Sequence, residues 1–469
     1  MNGPDELHAG NVVEGASDAE EAGANPEPNP SSNLAWLFGL QRFGVRTGLE
    51  TVRELLRRLG APELELDSVL VGGTNGKGSV ARLLAACLQA SGARTGLFTS
   101  PHLQQVGERA QVNGVAATEA DMERLVGAVR AEATAVEATF FEVITAVCLL
   151  RFVEARADVA VLEVGMGGRL DATNVASPDL TIITGVALDH TAVLGGTLVA
   201  IAAEKAGILR RSVPVVTGAS GAALEVLEAR AQELGSPISV LGRDFRVETL
   251  SSTWDGLELL LSWEATTARH APQGLRGPGS LQLSSPLVGE HQAANVAQAA
   301  FGALLLGAGT EAVRSAIAAT AWPGRLERRQ YLGRNVVLDG AHNAEAATAL
   351  ARAIHAQEGS VAVLIAGISA DKDIPSILTE LAGVARHVLF TTALNSPRSA
   401  GPDVLVREWE SVGADAPAEA FVDPAEALQR AISLCPEGGT IVVAGSLFLV
   451  AEVSNLLDGV EGEPYDRWQ

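Results

Sequence analysis

The sequence predicts an α/β protein, a mainly parallel sheet covered by helices followed by a second, smaller α/β domain. Three observations predict it. From Ser68 onward, short β-branched runs alternate with Ala- and Leu-rich amphipathic stretches. The alternation breaks over residues 240–285, which are rich in Ser, Thr and Gly, and then restarts. A glycine-rich turn joins the first of these strands to the first of these helices.

Residues 1–33 precede all of this. They hold Asp5, Glu6, Glu14, Asp18, Glu20, Glu21 and Glu27, no Lys or Arg, and the run Asn25-Pro26-Glu27-Pro28-Asn29-Pro30. Nothing there offsets the entropy of ordering, so a disordered acidic tail is expected. Order should begin near Asn33, where Leu34, Trp36, Leu37 and Leu40 recur at roughly helical spacing. Ser68–Val71 then reads as a strand, Gly78–Ser91 as a helix and Thr95–Thr99 as a strand. Phe141–Ala155 reads as a helix, with strands at Val159–Val164 and Leu180–Thr184. Alternating stretches such as Gly256–Trp263 mark 240–285 as an antiparallel insertion or edge hairpins. The smaller domain runs strand Asn335–Asp339, helix Glu345–Gln357, strand Val361–Ala366 and helix Ile374–Leu381. Strand His387–Thr391, helix Ala425–Leu434 and strand Thr440–Ala444 complete it.

Composition narrows the function. The 469 residues suggest two to four domains at about 100–200 residues each. A formal charge of -22 repels phosphate backbones and anionic lipid, which argues against nucleic-acid and membrane partners. No apolar run approaches the ~20 residues of a membrane span, and the N-terminus lacks a secretory pattern. Cys87, Cys148 and Cys435 sit far apart and read as buried thiols in a reducing compartment. A cytoplasmic protein is the expectation.

The turn Gly72-Gly73-Thr74-Asn75-Gly76-Lys77-Gly78-Ser79 carries the chemistry. Glycines let successive N–H groups face an anion, and the following helix N-terminus adds its dipole. Lys77 would meet the β- and γ-phosphates, and the Ser79 hydroxyl could ligate Mg²⁺. The usual spacing is not strictly met, because Val71 stands where the first Gly should be and Gly78 precedes Ser79. The bland alternative is a Gly-rich strand-to-helix turn.

This loop variant heads an ordered series of blocks. Thr99-Ser100-Pro101-His102-Leu103, Glu108-Arg109 and Phe141-Glu142 come next. Leu162-Glu163-Val164-Gly165-Met166-Gly167-Gly168-Arg169-Leu170-Asp171-Ala172-Thr173-Asn174 and Leu188-Asp189-His190-Thr191 follow. After them stand Glu204-Lys205-Ala206-Gly207-Ile208, Gly289-Glu290-His291-Gln292 and Trp322-Pro323-Gly324-Arg325-Leu326-Glu327. Asp339-Gly340-Ala341-His342-Asn343, Asp371-Lys372-Asp373 and Gly445-Ser446-Leu447 end the series. With these blocks the chain from about residue 34 onward resembles the Mur ligase superfamily, and within it the folylpolyglutamate synthase/dihydrofolate synthase family. Ala344 is a departure, since the family often has Pro there.

The resemblance implies a P-loop mononucleotide-binding parallel-sheet domain over 34–322 and a smaller Rossmann-like α/β domain over 323–469. It implies ATP as the nucleotide, held by Thr74, Asn75, Gly76, Lys77, Gly78, Ser79, Asn295, Arg325, Asp339 and His342. Two Mg²⁺ are implied, one on Ser100, Glu163 and His190, the other on Ser79 and Glu163. Lys77, Lys205 and His190 are the implied catalytic residues, with Lys205 carbamylated by CO₂. Arg169, Asp171, Asp371 and Ser446 are the implied substrate contacts, the block Asp371–Asp373 and Ser446 serving the incoming amino acid.

Read without the resemblance, several of these residues have plainer roles. Glu163 ends a buried-looking strand beside the loop, where a metal ligand should be. His190, at the end of what reads as another strand region, would more often be a satisfied core histidine. Lys205 would be a helix-surface lysine paired with an acid, Arg325 and the Asp339 block a linker and turn, and Glu142 a helix-start carboxylate. The implied reaction is activation of a pterin-linked carboxylate, dihydropteroate or a folate, by the ATP γ-phosphoryl group, with capture by the amine of L-glutamate. A bifunctional monomer is the expectation. The alternatives are a chain-extending enzyme only, a cell-wall Mur ligase and a P-loop regulatory ATPase.

Overall fold

The computed structural model describes residues 32–43, 48–264, 275, 277–460 and 462. The expected tail therefore lies outside the described residues except at its last two positions, where Ser32 caps a helix at Asn33–Gly39. The first sheet contains β1 (Asp67–Gly72), β2 (Thr95–Phe98), β3 (Ala110–Val112), β4 (Val115–Ala116), β5 (Val159–Glu163), β6 (Pro178–Ile183), β7 (Val215–Thr217) and β8 (Ile238–Val240). Their order is β4-β3-β2-β5-β1-β6-β7-β8. Pairing is parallel from β2 through β8, and only β3 and β4 at one edge run antiparallel.

That order follows from the residues. β1 and β5 are near-continuous apolar runs because both their faces are covered, as a central parallel strand requires. One face packs on the helix Phe140–Glu154, the other on the helices Lys77–Ala90 and Glu290–Leu305. The stretch 240–285 forms an antiparallel sheet of β9 (Phe245–Thr253), β10 (Gly256–Trp263) and β11 (Gly279–Ser285), in the order β11-β10-β9. Its alternation is real: Leu257, Leu259 and Leu261 face the core shared with those two helices, and the residues between them are less buried.

The C-terminal domain has β12 (Glu327–Tyr331), β13 (Arg334–Leu338), β14 (Val361–Ala366), β15 (Ala385–Phe390), β16 (Ala418–Ala420) and β17 (Thr440–Ala444), in the order β12-β13-β17-β14-β15-β16. All pairs but β12–β13 are parallel, with buried apolar residues on both faces. The three cysteines are buried free thiols. Glu142 caps its own helix: its carboxylate accepts from the Thr139 backbone N–H at 2.8 Å.

Two features differ from the sequence reading. His190 does not end a strand; β6 stops at Ile183, and the residues beyond it bond to the glycine-rich loop instead of to a neighbouring strand. His190 is also no core residue, with a side chain 40% exposed. The other feature is Lys205, which lies on no helix surface but is buried at 3% exposure.

Candidate active site

β1 lies where the first sheet changes direction, between β5 and β6, and ligand crevices form at the carboxyl ends of strands at such a point. Val71 is in register with Glu163 at the end of β5, and Gly72 with Ile183 at the end of β6. The glycine-rich loop therefore emerges between a carboxylate and a polar segment. The Thr74 N–H donates to Gly185 O at 2.8 Å, and Thr184 Oγ1 donates to Asn75 O at 2.6 Å. Gly76 has φ 83, and a Cβ there would sit 2.2 Å from Asn295 Oδ1. Only glycine fits that turn against Asn295, itself oriented by its 2.9 Å bond to Gln292.

Lys77 opens the helix Lys77–Ala90, and in this structure its ammonium donates to Thr74 O at 2.9 Å. Burial pulls its pKa down, opposed by the charges of Glu163, Asp189 and Asp171. Glu163 is buried, accepts from the Ser100 N–H at 2.8 Å, and has its pKa raised by desolvation. Its carboxylate lies so near the loop that a Cβ on Gly78 would be 3.4 Å from Oε2. Among the described residues, the buried Ser79 hydroxyl has no hydrogen-bond partner. Lys205, from the helix Leu198–Ala206, donates to Gly73 O at 2.6 Å, and its pKa falls to about 7 through desolvation and then the charge of Lys77.

The C-terminal domain presents the carboxyl edge of its own sheet. Asp339 follows β13, and its carboxylate accepts from the Leu326 and Ala341 N–H groups, each at 2.9 Å. His342 Nδ1 lies 2.8 Å from Gly340 O, and burial holds its pKa down at about 4. Arg325 donates to Gly324 O at 3.1 Å and acts electrostatically on Lys77, Glu163, His342 and His291. The two edges meet. Asn75 and Asn343 exchange amide bonds at 3.3 and 3.0 Å, and Asp189 takes Lys372 at 2.7 Å.

The remaining residues named from the sequence have structural partners. Arg169 is 55% exposed and pairs with Glu204 at 2.9 Å. Asp171 is buried, capping Ala172–Val175 through Thr173 and accepting from the Met166 N–H at 2.9 Å. Asp371 is exposed, 3.5 Å from Arg398, and Ser446 caps the helix Leu447–Asp458. Ser100 is half-buried and its backbone, rather than its hydroxyl, contacts Glu163. Asp189 and Asn343 are not among the site residues expected from the sequence, although each stands beside one of the expected histidines, His190 and His342. Both also stand within the blocks that carry the family resemblance. Among the described residues, no three His, Cys, Asp or Glu side chains converge as a metal-binding group.

Comparison with known proteins matches this architecture. Residues 71–303 match the Mur ligase middle domain and residues 324–447 the Mur ligase glutamate ligase domain. The fold and crevice are thus those of a Mur-type ligase. The chain is 33% identical to the folylpolyglutamate synthase of Lacticaseibacillus casei, covering 92% of this chain and 99% of that one. It is also 33% identical to the dihydrofolate synthase/folylpolyglutamate synthase of Escherichia coli, over 92% and 97% of the two chains. A probable bifunctional folylpolyglutamate synthase/dihydropteroate synthase of Haloferax volcanii is 36% identical over 89% of this chain, which spans 49% of that relative's length. The structure of Mycobacterium tuberculosis folylpolyglutamate synthase complexed with ADP superposes with a TM-score of 0.82 at 30% identity, over 92% of this chain and 99% of that one. The chain belongs to the folylpolyglutamate synthase/dihydrofolate synthase family of Mur ligases. Among the described residues, no helix is long and apolar enough to cross a membrane.

Proposed function

We propose that this protein is an ATP-dependent ligase that joins L-glutamate to dihydropteroate and to folate polyglutamate chains, forming ADP and phosphate. The observation that carries the reading is the meeting of two strand-end edges, Lys77, Ser79 and Glu163 on one side and Arg325, Asp339 and His342 on the other. Two structures whose ligands match this reading lie close in fold. The E. coli protein complexed with DHPP and ADP has a TM-score of 0.79 at 30% identity. The M. tuberculosis protein complexed with ADP and AMPPCP has one of 0.80 at the same identity.

A carboxylate resists an amine because oxide is a poor leaving group. Transfer of the γ-phosphoryl group to it gives an acyl phosphate, whose leaving group is phosphate. The loop N–H groups and Lys77 hold the phosphates and offset charge gathering on the transferred oxygens. Arg325 reaches the same phosphates from the opposite domain. His342, neutral above about pH 4, adds no charge near neutrality; with Nδ1–H donating to Gly340 O, its Nε2 can accept one hydrogen bond. Closure of the two edges excludes water until the amine attacks the acyl carbon.

The donor set fits Mg²⁺. Ser79 offers a buried hydroxyl with no partner among the described residues, and Glu163 a buried carboxylate near the neighbouring Gly78. Ser79 with Glu163 would hold one ion, and Ser100, Glu163 and His190 another; bound Mg²⁺ neutralises phosphate charge. Lys205 meets the requirement for carbamylation, because desolvation yields the neutral amine that CO₂ needs. Arg169, Asp171, Asp371 and Ser446 would contact the two acceptors, and Asn295 the nucleotide. The protein would act as a cytoplasmic monomer.

The test is phosphate release from ATP with dihydropteroate or a reduced folate, with and without L-glutamate, alongside detection of the amide. Release that ignores both acceptors, with no amide formed, overturns the proposal and favours a regulatory ATPase. Amide formation with folate but not dihydropteroate restricts the activity to chain extension.

A further inference from the structure

Among the described residues, Asp189 is the one carboxylate in the crevice that bonds side chains from two separate segments of the opposite domain. Oδ1 accepts from Lys372 Nζ at 2.7 Å, and Oδ2 from Asn343 Nδ2 at 3.1 Å. His342 Nε2 stands 3.9 Å from the same oxygen. Both ends of the ion pair are nearly dry, with side chains 10% exposed for Asp189 and 13% for Lys372.

The pair is also wired to the phosphate loop on both sides. Asp189 ends the segment whose Ala187 N–H bonds Thr74 Oγ1 at 3.0 Å. Asn343 splits its amide between the domains. Its Nδ2 donates to Asn75 Oδ1 and to Asp189, while its Oδ1 accepts from Asn75 and from the Ala346 N–H that starts the next helix. Asp189 is thus linked through Asn343 to the loop residue Asn75, which also donates to Glu345. A second docking point lies elsewhere: Gln104 bonds Ser454 and Asn455, and Leu103 packs against Gly324 and near Val450. That contact is between uncharged groups and does not touch the loop.

We propose that Asp189 is the positioning residue that clasps the C-terminal domain onto the phosphate loop and so keeps ATP consumption coupled to amide formation. The inference rests on the ligase reading above. Breaking a dry ion pair from one side leaves the other charge buried and uncompensated, so the docked arrangement loses more than one contact. Lys372 would then regain solvent by the domains moving apart. An acyl phosphate formed in an open crevice meets water. Water adds its oxygen to the acyl carbon, the bond to the phosphate oxygen breaks, and the carboxylic acid and inorganic phosphate return with no amide made.

The experiment compares the full-length wild type with Asp189→Asn and Asp189→Glu. It measures phosphate and amide in the same reaction, and the radius of gyration by small-angle scattering with ADP present. In Asp189→Asn, amide formation should fall about tenfold, the scale of coupling between contacting side chains. Phosphate release should fall less, so phosphate per amide rises, and the particle should expand. Asp189→Glu keeps the charge and should lie closer to wild type in both readouts. Phosphate release by the Asn variant shows that its loop is folded. An unchanged phosphate-to-amide ratio with an unchanged radius of gyration overturns the clasp. If the wild type makes no amide, the ligase reading fails instead, and the scattering comparison alone then decides the clasp.

Discussion

Replacing Lys205 with Met tests the electrostatics of the crevice through stability, without any assay of turnover. The ammonium is buried, its pKa is pulled from 10.5 to about 7, and the largest cause is desolvation. The unfolded chain therefore holds this proton more tightly than the folded one. The resulting penalty is full below about pH 7 and fades as pH rises toward 10.5. Integrated over that shift, wild type should gain about 3 kcal/mol relative to Lys205→Met between about pH 6 and about pH 9. Loss of the 2.6 Å bond to Gly73 O is a cost that the Met variant bears equally at both pH values, so it cancels from the comparison. Thermal or urea unfolding at the two pH values, in buffer purged of CO₂, gives the difference directly. A stability gap between the two chains that does not change with pH would refute the argument that burial depresses this lysine. A gap that moved against wild type on raising the pH would refute it more strongly.

Three further outcomes are expected. Gly76→Ala should raise KM for ATP and lower phosphate release by roughly tenfold or more while the fold survives, since αL geometry costs about 1 kcal/mol before the contact with Asn295 is counted; circular dichroism with initial-rate kinetics checks both. Glu163→Gln should abolish most divalent-cation dependence of phosphate release, with a loss of about a hundredfold. It should also make unfolding less sensitive to pH, because the carboxyl pKa is raised by burial and its stabilising effect fades as pH rises; wild-type-like magnesium dependence would contradict this. The His342 imidazole should titrate near pH 4 by NMR, and because the unfolded chain takes up that proton first, the fold should lose stability as pH falls from about 6.5 to about 4; a midpoint at the ordinary histidine value would contradict the desolvation argued for it.

Much of the fold could be read along the chain. β14 and β17 lie where their β-branched runs predict, and the helix Ile374–Leu381 has the predicted bounds. The loop was equally legible, because a phosphate-binding turn is a local object made of consecutive residues. Sheet order was not legible. β5 inserts between β1 and β2, and β17 between β13 and β14, because pairing is decided by helix packing on both faces rather than by sequence neighbours. His190 and Lys205 show the same limit at the level of single side chains. Exposure depends on which other segments cover a residue: Lys205 is sealed beneath the phosphate loop, while His190 stands clear of the core.

The sequence by itself determined the local chemistry: a glycine-rich anion loop, strands with apolar residues for two faces, and carboxylates placed at strand ends. Only the tertiary structure decided which of these groups meet. Asn75 and Asn343, or Asp189 and Lys372, stand far apart in the chain and touch because the carboxyl edges of two separate sheets face one another. Such contacts leave no periodic or compositional trace in either partner, since each is fixed by the packing of a different core.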